Sequence, residues 1–129
     1  MPVIADHFVL SNGDTAKYDY DGLVNKPDLS VKSTTLENSG KIFYFYKVGR
    51  LVVCNAGGDI QSLGSGYTTI GTLPNEYWPL TQVVSRIEND RDGFSFFTVG
   101  VDGVVQVYSS EAYTSVHNFA INAVWIAAI

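Results

Sequence analysis

Cysteine and histidine are nearly missing from this chain of 129 residues, which holds one cysteine, Cys54, and two histidines, His7 and His117. One thiol closes no internal disulfide, and one thiol with two imidazoles completes no structural zinc site within a chain. No cofactor is implied by any motif. Charge is scarce as well, at 16% of residues against about 25% in an ordinary soluble domain. Eight Lys and Arg face thirteen Asp and Glu, a net charge of −5. Phosphate backbones and anionic membranes need a basic face, so nucleic acid and membrane surface drop out as partners. Long hydrophobic runs are lacking too. The longest, residues 119–129, is interrupted by Asn122, whereas a membrane-spanning helix needs about 20 apolar residues. This run reads as a buried strand. Met1-Pro2-Val3-Ile4-Ala5-Asp6 lacks the basic segment and apolar run of an export signal, so synthesis without Sec export is expected.

What is present is turn chemistry and β-forming residues. In the first forty residues, Ser11-Asn12-Gly13-Asp14, Asp19-Tyr20-Asp21-Gly22 and Asn38-Ser39-Gly40 separate short apolar pairs, and Pro27 fixes an extended step. Residues 1–38 read as a stalk or neck connector. Residues 39–129 read as one head domain in which short runs of Val, Ile, Phe and Tyr alternate with glycine turns. Strands are predicted at 42–48, 51–55, 68–73, 82–88, 94–99, 104–108 and 119–127. Gly49-Arg50 and Asp102-Gly103 supply hairpin turns. No helix of useful length is expected. So many strands in so short a span predict an all-β domain, a jelly-roll-like β-sandwich or a small β-barrel. Ile42, Val52, Ile70, Val83, Phe97 and Val105 are the expected core positions, and Phe96 and Thr98 are expected to point outward.

Charge is also unevenly spread. Glu76 is the sole charged residue between positions 60 and 85, and positions 112–129 carry none. A strand ordinarily shows one polar face to water, so long neutral segments in a small β-domain predict a subunit interface and a homo-oligomer.

The reactive side chains have bland readings that outweigh sharper ones. Cys54 with His117 has the composition of a nucleophile and base, but Cys54 sits in an apolar strand, where a thiol behaves as a small hydrophobe. No helix follows a serine to make a nucleophile elbow. Glu88, Asp90, Asp92 and Asp102, with Arg91, read as solvated turn residues more readily than as a calcium site or a carboxylate pair, because Gly93 closes the group in a position foreign to an EF-hand. Gly57-Gly58 and Gly64-Ser65-Gly66 lead into neither a lysine nor a helix, and read as turns rather than phosphate loops. Tyr77, Trp78, Tyr108, Tyr113 and Trp125 offer flat amphipathic surface suited to sugar rings, wherever they lie on an outer strand face.

Two sets of segments resemble known proteins. Asp19-Tyr20-Asp21-Gly22-Leu23-Val24-Asn25-Lys26-Pro27-Asp28-Leu29 resembles the Asn-Lys-Pro connector of bacteriophage tail-fibre proteins. Lys47-Val48-Gly49-Arg50-Leu51-Val52-Val53, Gly57-Gly58-Asp59-Ile60, Gly71-Thr72-Leu73-Pro74-Asn75-Glu76-Tyr77-Trp78-Pro79 and Asp102-Gly103-Val104-Val105-Gln106-Val107-Tyr108 resemble, in that order, the head domain of lactococcal siphophage receptor-binding proteins. In physical terms Pro74 and Pro79 frame a rigid turn that ends one strand and is expected to start the next on the opposite sheet.

The resemblance implies a homotrimer at the baseplate tip of a virion, made in the host cytoplasm and joined to other baseplate or tail proteins through its N-terminal part. It implies a non-enzymatic head that binds host cell-wall saccharide. The family's saccharide site falls on Phe96, Thr98, Tyr108 and the neighbourhood of His117 and Asn118. Only the aromatic is kept in kind, so a different hydrogen-bond pattern, and hence a different glycan or a displaced site, is expected. Two other readings stand beside it: a structural tail-fibre or baseplate cap without ligand, and a polysaccharide-degrading tail enzyme.

Overall fold

The computed structural model describes residues 7–9, 15–17, 30–89, 93–114 and 117–129. Two short strands, β1 (His7–Val9) and β2 (Thr15–Lys17), pair antiparallel. The Asn-Lys-Pro segment, residues 19–29, lies outside the described residues. The described strands from Lys32 onward form two antiparallel sheets packed as a sandwich, and no α-helix is present among the described residues.

The larger sheet contains β3 (Lys32–Asn38), β4 (Lys41–Val48), β5 (Leu51–Ala56), β6 (Asp59–Ile60), β9 (Glu88–Asn89) and β12 (His117–Ile126). The smaller contains β7 (Gly66–Thr72), β8 (Val83–Arg86), β10 (Ser95–Val99) and β11 (Val104–Ser109), in the order β7-β11-β10-β8. The β4–β5 hairpin closes at Gly49-Arg50, with Val48 opposite Leu51. Between β10 and β11 the turn runs from Gly100 to Gly103, where the Gly103 amide donates to the Gly100 carbonyl at 2.9 Å.

The sandwich begins earlier than the predicted boundary at residue 39. β3 pairs with β4 along its whole length through the Ser39-Gly40 turn. It reads as connector because it is a polar edge strand: Leu36 is its one large apolar side chain, packed against the core, while Ser33, Thr35 and Glu37 are exposed.

On β4 the predicted parity is reversed. Phe43 and Phe45 are fully buried, and Ile42 is 41% exposed. Every position from Ile42 to Tyr46 is apolar or aromatic, so alternation alone does not choose a face. The parity that buries Phe43 and Phe45 leaves the Tyr44 and Tyr46 hydroxyls in water, whereas the other parity would bury them and each would need a partner. Lys41 and Lys47 share the inner parity and are buried, because backbone oxygens receive their ammonium groups. Lys41 Nζ donates to the carbonyls of Gly57 at 2.7 Å, Gly58 at 3.1 Å and Phe119 at 3.3 Å. Lys47 Nζ donates to the Ile129 carbonyl at 3.1 Å. The other expected core residues sit inside: Val52, Ile70, Phe97 and Val105 are buried, and Val83 packs half-buried against them.

Phe45 stands at the centre of the core, with its ring 6.5 Å from Phe97 and 6.2 Å from Trp125, the latter edge-on. The proline-framed turn is a 3-10 turn, Asn75–Tyr77. Its outcome differs from expectation. Pro79 bridges to Ala127 at the end of the larger sheet, and the chain then returns as β8 to the far edge of the same smaller sheet. Trp78 Nε1 donates to the Leu73 carbonyl at 2.7 Å, and Trp125 Nε1 donates to the Tyr77 carbonyl at 2.8 Å, so both indoles tie this crossover down. The change of sheet comes later, across buried Ile87: β8 pairs with β10, while β9 pairs with β12.

Candidate functional site

The outer face of the smaller sheet is built from strand register. Phe96 on β10 faces Tyr108 on β11, and Tyr108 faces Tyr67 on β7. On its other side Phe96 faces Arg86 on β8. A row Arg86, Phe96, Tyr108, Tyr67 therefore crosses all four strands. The next row is Val84, Thr98, Gln106 and Thr69. Side chains two apart on a strand share a face, so both rows point away from Phe97 and the core.

The first row carries a cluster of four rings. Tyr67 and Tyr108 have centroids 5.0 Å apart, Phe94 and Tyr108 5.8 Å in a stacked arrangement, Phe96 and Tyr108 6.2 Å, and Phe94 and Phe96 5.6 Å. All four separations fall in the range where aromatic rings attract. Tyr67 is 64% and Phe94 47% exposed, while Phe96 and Tyr108 are half-buried between them. Polar groups border the rings. Gln106 Nε2 donates to Thr69 Oγ1 at 3.2 Å, and Arg86 is exposed, with no ion pair among the described residues. Flat rings beside amide, hydroxyl and guanidinium groups can take the C–H face of a sugar ring and its hydroxyls together.

Of the residues expected at the site, the structure brings Phe96, Thr98 and Tyr108 to this face. Thr98 is buried there, and its Oγ1 lies 3.5 Å from the Gln106 carbonyl, so it presents no free hydroxyl. His117 and Asn118 are elsewhere: they belong to β12 in the larger sheet, paired with Ile60 and Asp59. Carrying the site over by sequence distance keeps the chain in one sheet after Tyr108. Instead it leaves the smaller sheet at Ser109, bridges to Leu63 through Tyr113, and continues as β12.

Tyr67, Thr69, Arg86, Phe94 and Gln106 were not predicted. Alternation in β7 held the signal for two of them, since Ile70 turns inward and Tyr67 and Thr69 outward. A bulge at Ile70, between the partners of Val105 and Gln106, shifts the alternation only beyond these two residues.

Tyr77, Trp78, Tyr113 and Trp125, the other aromatics singled out in the sequence, are structural. Tyr77, Tyr113 and Trp125 are buried, and Trp78 covers the Gly100–Gly103 turn. Burial, followed by the Glu76 carboxylate, pushes the Tyr77 phenol above its usual range. Cys54 is fully buried, and desolvation lifts its thiol to about 12 against a small opposing pull from Lys41, so it stays protonated at neutral pH. A protonated buried thiol is no nucleophile. Burial lowers Lys41, with Asp59 and then Cys54 opposing that shift. Asp102 Oδ1 accepts the Val104 amide at 3.2 Å, which is a turn role. Residues 90–92 lie outside the described residues. Among those described, no cluster of His, Cys, Asp and Glu is disposed to hold a metal ion. A second concavity, an open notch of about 380 Å³, lies between β8 and β12 and is flanked by Leu80, Val84, Val124 and Ile126. No model of a known protein family matches this chain, and no curated protein matches it.

Proposed function

We propose that this chain is a non-enzymatic saccharide-binding head, and that it attaches a phage virion to the cell wall of its host. The observation that carries the reading is the ring cluster of Tyr67, Phe94, Phe96 and Tyr108 on one outer sheet face, bordered by Arg86, Gln106 and Thr69. Rings exposed on a sheet face cost solubility, and a sugar that stacks on them recovers that cost. The virion location, the homotrimer and the link through the N-terminal part to other tail proteins follow from the resemblance to lactococcal phage receptor-binding heads. A single shallow platform binds weakly, and several platforms on one particle raise attachment through effective concentration.

A ligand-free structural cap is the second reading. It is favoured by the exposed apolar face of the larger sheet, which serves assembly and needs no sugar. The two readings part at the ring cluster. Saturation-transfer NMR on a panel of cell-wall monosaccharides, glycerol phosphate and purified cell-wall polysaccharide tests them. Transfer to at least one saccharide, abolished in Tyr108→Ala at unchanged melting temperature, supports the saccharide reading. No transfer from any of them leaves the cap, and undiminished transfer in Tyr108→Ala moves the site away from this face.

A further inference from the structure

The ring cluster lies across the strands of the smaller sheet. In the order β7-β11-β10-β8, Tyr67, Tyr108 and Phe96 are cross-strand neighbours on the first three strands, and Arg86 closes the row on the fourth. Three strand spacings make the row about 14 Å long. Both of its ends fall on edge strands, so no strand of this sheet stands beyond Tyr67 or beyond Arg86. Neither the notch between β8 and β12 nor a smaller recess between Lys32 and Gly49 includes one of these rings.

Each position of the row pairs a ring with a polar group. Thr69 lies two residues from Tyr67 on β7, and Gln106 two residues from Tyr108 on β11, so each shares the outer face with its ring. Arg86 is the cross-strand neighbour of Phe96. Gln106 Nε2 donates to Thr69 Oγ1 at 3.2 Å, which leaves the second amide proton and the carbonyl oxygen of Gln106, and the hydroxyl proton of Thr69, for a ligand.

We infer that the occupant is a stretch of about three sugar residues from within a saccharide chain, laid across the strands from Tyr67 to Arg86, and not a single terminal sugar. The inference rests on the saccharide reading above and narrows which saccharides that reading admits. A sugar in an extended chain advances by about one strand spacing, so successive sugars meet successive strands. A site for one small molecule is concave and encloses most of it, whereas an open row holds each sugar by one face alone. Such contacts are weak singly, and repetition along a chain is what makes them hold. A row open at both ends also lets the chain run on past the site, which a terminal sugar would not require. Ring orientation narrows the class again. Tyr108 is turned by 59° from Tyr67 and by 31° from Phe96, so the occupant's rings must turn from one to the next. Glycosidic bonds allow that turn, and a fused planar ligand does not.

The test is a length ladder. Host cell-wall polysaccharide is partly hydrolysed, sized into fragments of one to six sugars, and titrated calorimetrically against the full chain, with melting temperature as the check on folding. Wild-type affinity is expected to rise about five- to tenfold with the second sugar and again with the third, then to level off. Tyr67→Ala removes the ring at one end and is expected to abolish the gain from the third sugar. Arg86→Ala, at the other end, is expected to reduce that gain a few-fold, and stands in should Tyr67→Ala not fold. Tyr44→Ala, on the larger sheet, is expected to keep the wild-type ladder. Equal affinity for one, two and three sugars overturns the inference and leaves the saccharide reading standing. So does a wild-type ladder in folded Tyr67→Ala and Arg86→Ala alike, or a ladder flattened by Tyr44→Ala. No binding of any fragment or of the intact polysaccharide overturns both.

Discussion

Both outer faces of the sandwich expose aromatic rings, yet what surrounds the rings differs. On the smaller sheet, Tyr67, Phe94, Phe96 and Tyr108 sit among Arg86, Thr69 and Gln106, which donate or accept hydrogen bonds. On the larger sheet, Tyr44 and Tyr46 sit among Ile42, Leu51, Val53, Val124 and Ile126, and the Asn55 amide that faces Tyr44 is bonded to Asn122 at 3.2 Å. A sugar is amphipathic on the scale of one ring, so it needs both kinds of group within a few ångströms. A second protein surface presents its apolar centre over a wider area, and an aliphatic sheet face matches that. Ring count alone does not distinguish the two faces, whereas the side chains between the rings do.

The sharpest test of how each face is held comes from its hairpin. Gly103 has φ 79°, and a Cβ there would lie 2.0 Å from Trp78 Nε1, an indole fixed by its bond to the Leu73 carbonyl. Gly49 has φ 59° with nothing within 4 Å of an added Cβ. Gly103→Ala is expected to cost about 4 kcal/mol, since it adds a clash in a packed region to the backbone strain, and Gly49→Ala about 1 kcal/mol from strain alone. Urea denaturation of the two variants measures the difference. Equal losses would mean that Trp78 yields and that the turn beneath the ring face is no more rigid than its counterpart.

Alkaline pH should separate the sheets next. Cys54 lies in β5 of the larger sheet, and its thiol rises from 9.0 to about 12 on burial. A group whose pKa is raised by folding favours the folded state fully below its unfolded value, and that contribution fades as pH climbs from 9.0 toward about 12. Tyr77, raised from 10.0, acts in the same direction. Lys41, lowered from 10.5, acts oppositely in the window just below that value, where the unfolded chain binds more protons than the folded one. Thermal melts at pH 8.5, 10 and 11 are expected to show falling stability above pH 10, with a shallower fall in Cys54→Ala. A parallel fall in both proteins would remove Cys54 from the account.

How far these features were legible in the sequence depends on whether the deciding interaction was local. Strand positions and the Gly49-Arg50 hairpin follow from glycine turns between β-branched and aromatic runs, and the all-β sandwich follows from them. The parity of β4 does not, because its residues are apolar on both faces and the parity that buries Phe43 and Phe45 also buries Lys41, whose ammonium is received by the distant carbonyls of Gly57, Gly58 and Phe119. The four changes of sheet, between β6 and β7, at Ile87, between β9 and β10 and after Ser109, leave no local mark either. The site divides in the same way. Phe96 and Tyr108 come from one hairpin and were readable together, whereas Tyr67 and Arg86 arrive on strands joined to that hairpin only by long-range pairing.

On the ring face itself the expected effects are smaller. Tyr108 touches Tyr67, Phe94 and Phe96, so Tyr108→Ala removes the ring around which the platform is arranged. Loss of one stacking ring is worth about 1 kcal/mol, or a five- to tenfold fall in single-site saccharide affinity. Binding of purified cell-wall polysaccharide, by calorimetry, measures it.

The smallest expected effect is the most discriminating. Asn118 is exposed on β12, opposite Asp59 in the larger sheet, and shares no strand pairing with β10 or β11. The resemblance to phage receptor-binding heads places a saccharide donor near this position, and the topology places it on the other side of the sandwich from Tyr108. Asn118→Ala on an exposed strand should change stability by less than about 0.5 kcal/mol. Its single-site affinity should match the wild type, while Arg86→Ala, in the row of Phe96 and Tyr108, should lose a few-fold through one exposed hydrogen-bond donor. Paired titrations of the two variants with one polysaccharide decide between the two placements. A loss in Asn118→Ala with none in Arg86→Ala would transfer the proposed saccharide site to the larger sheet.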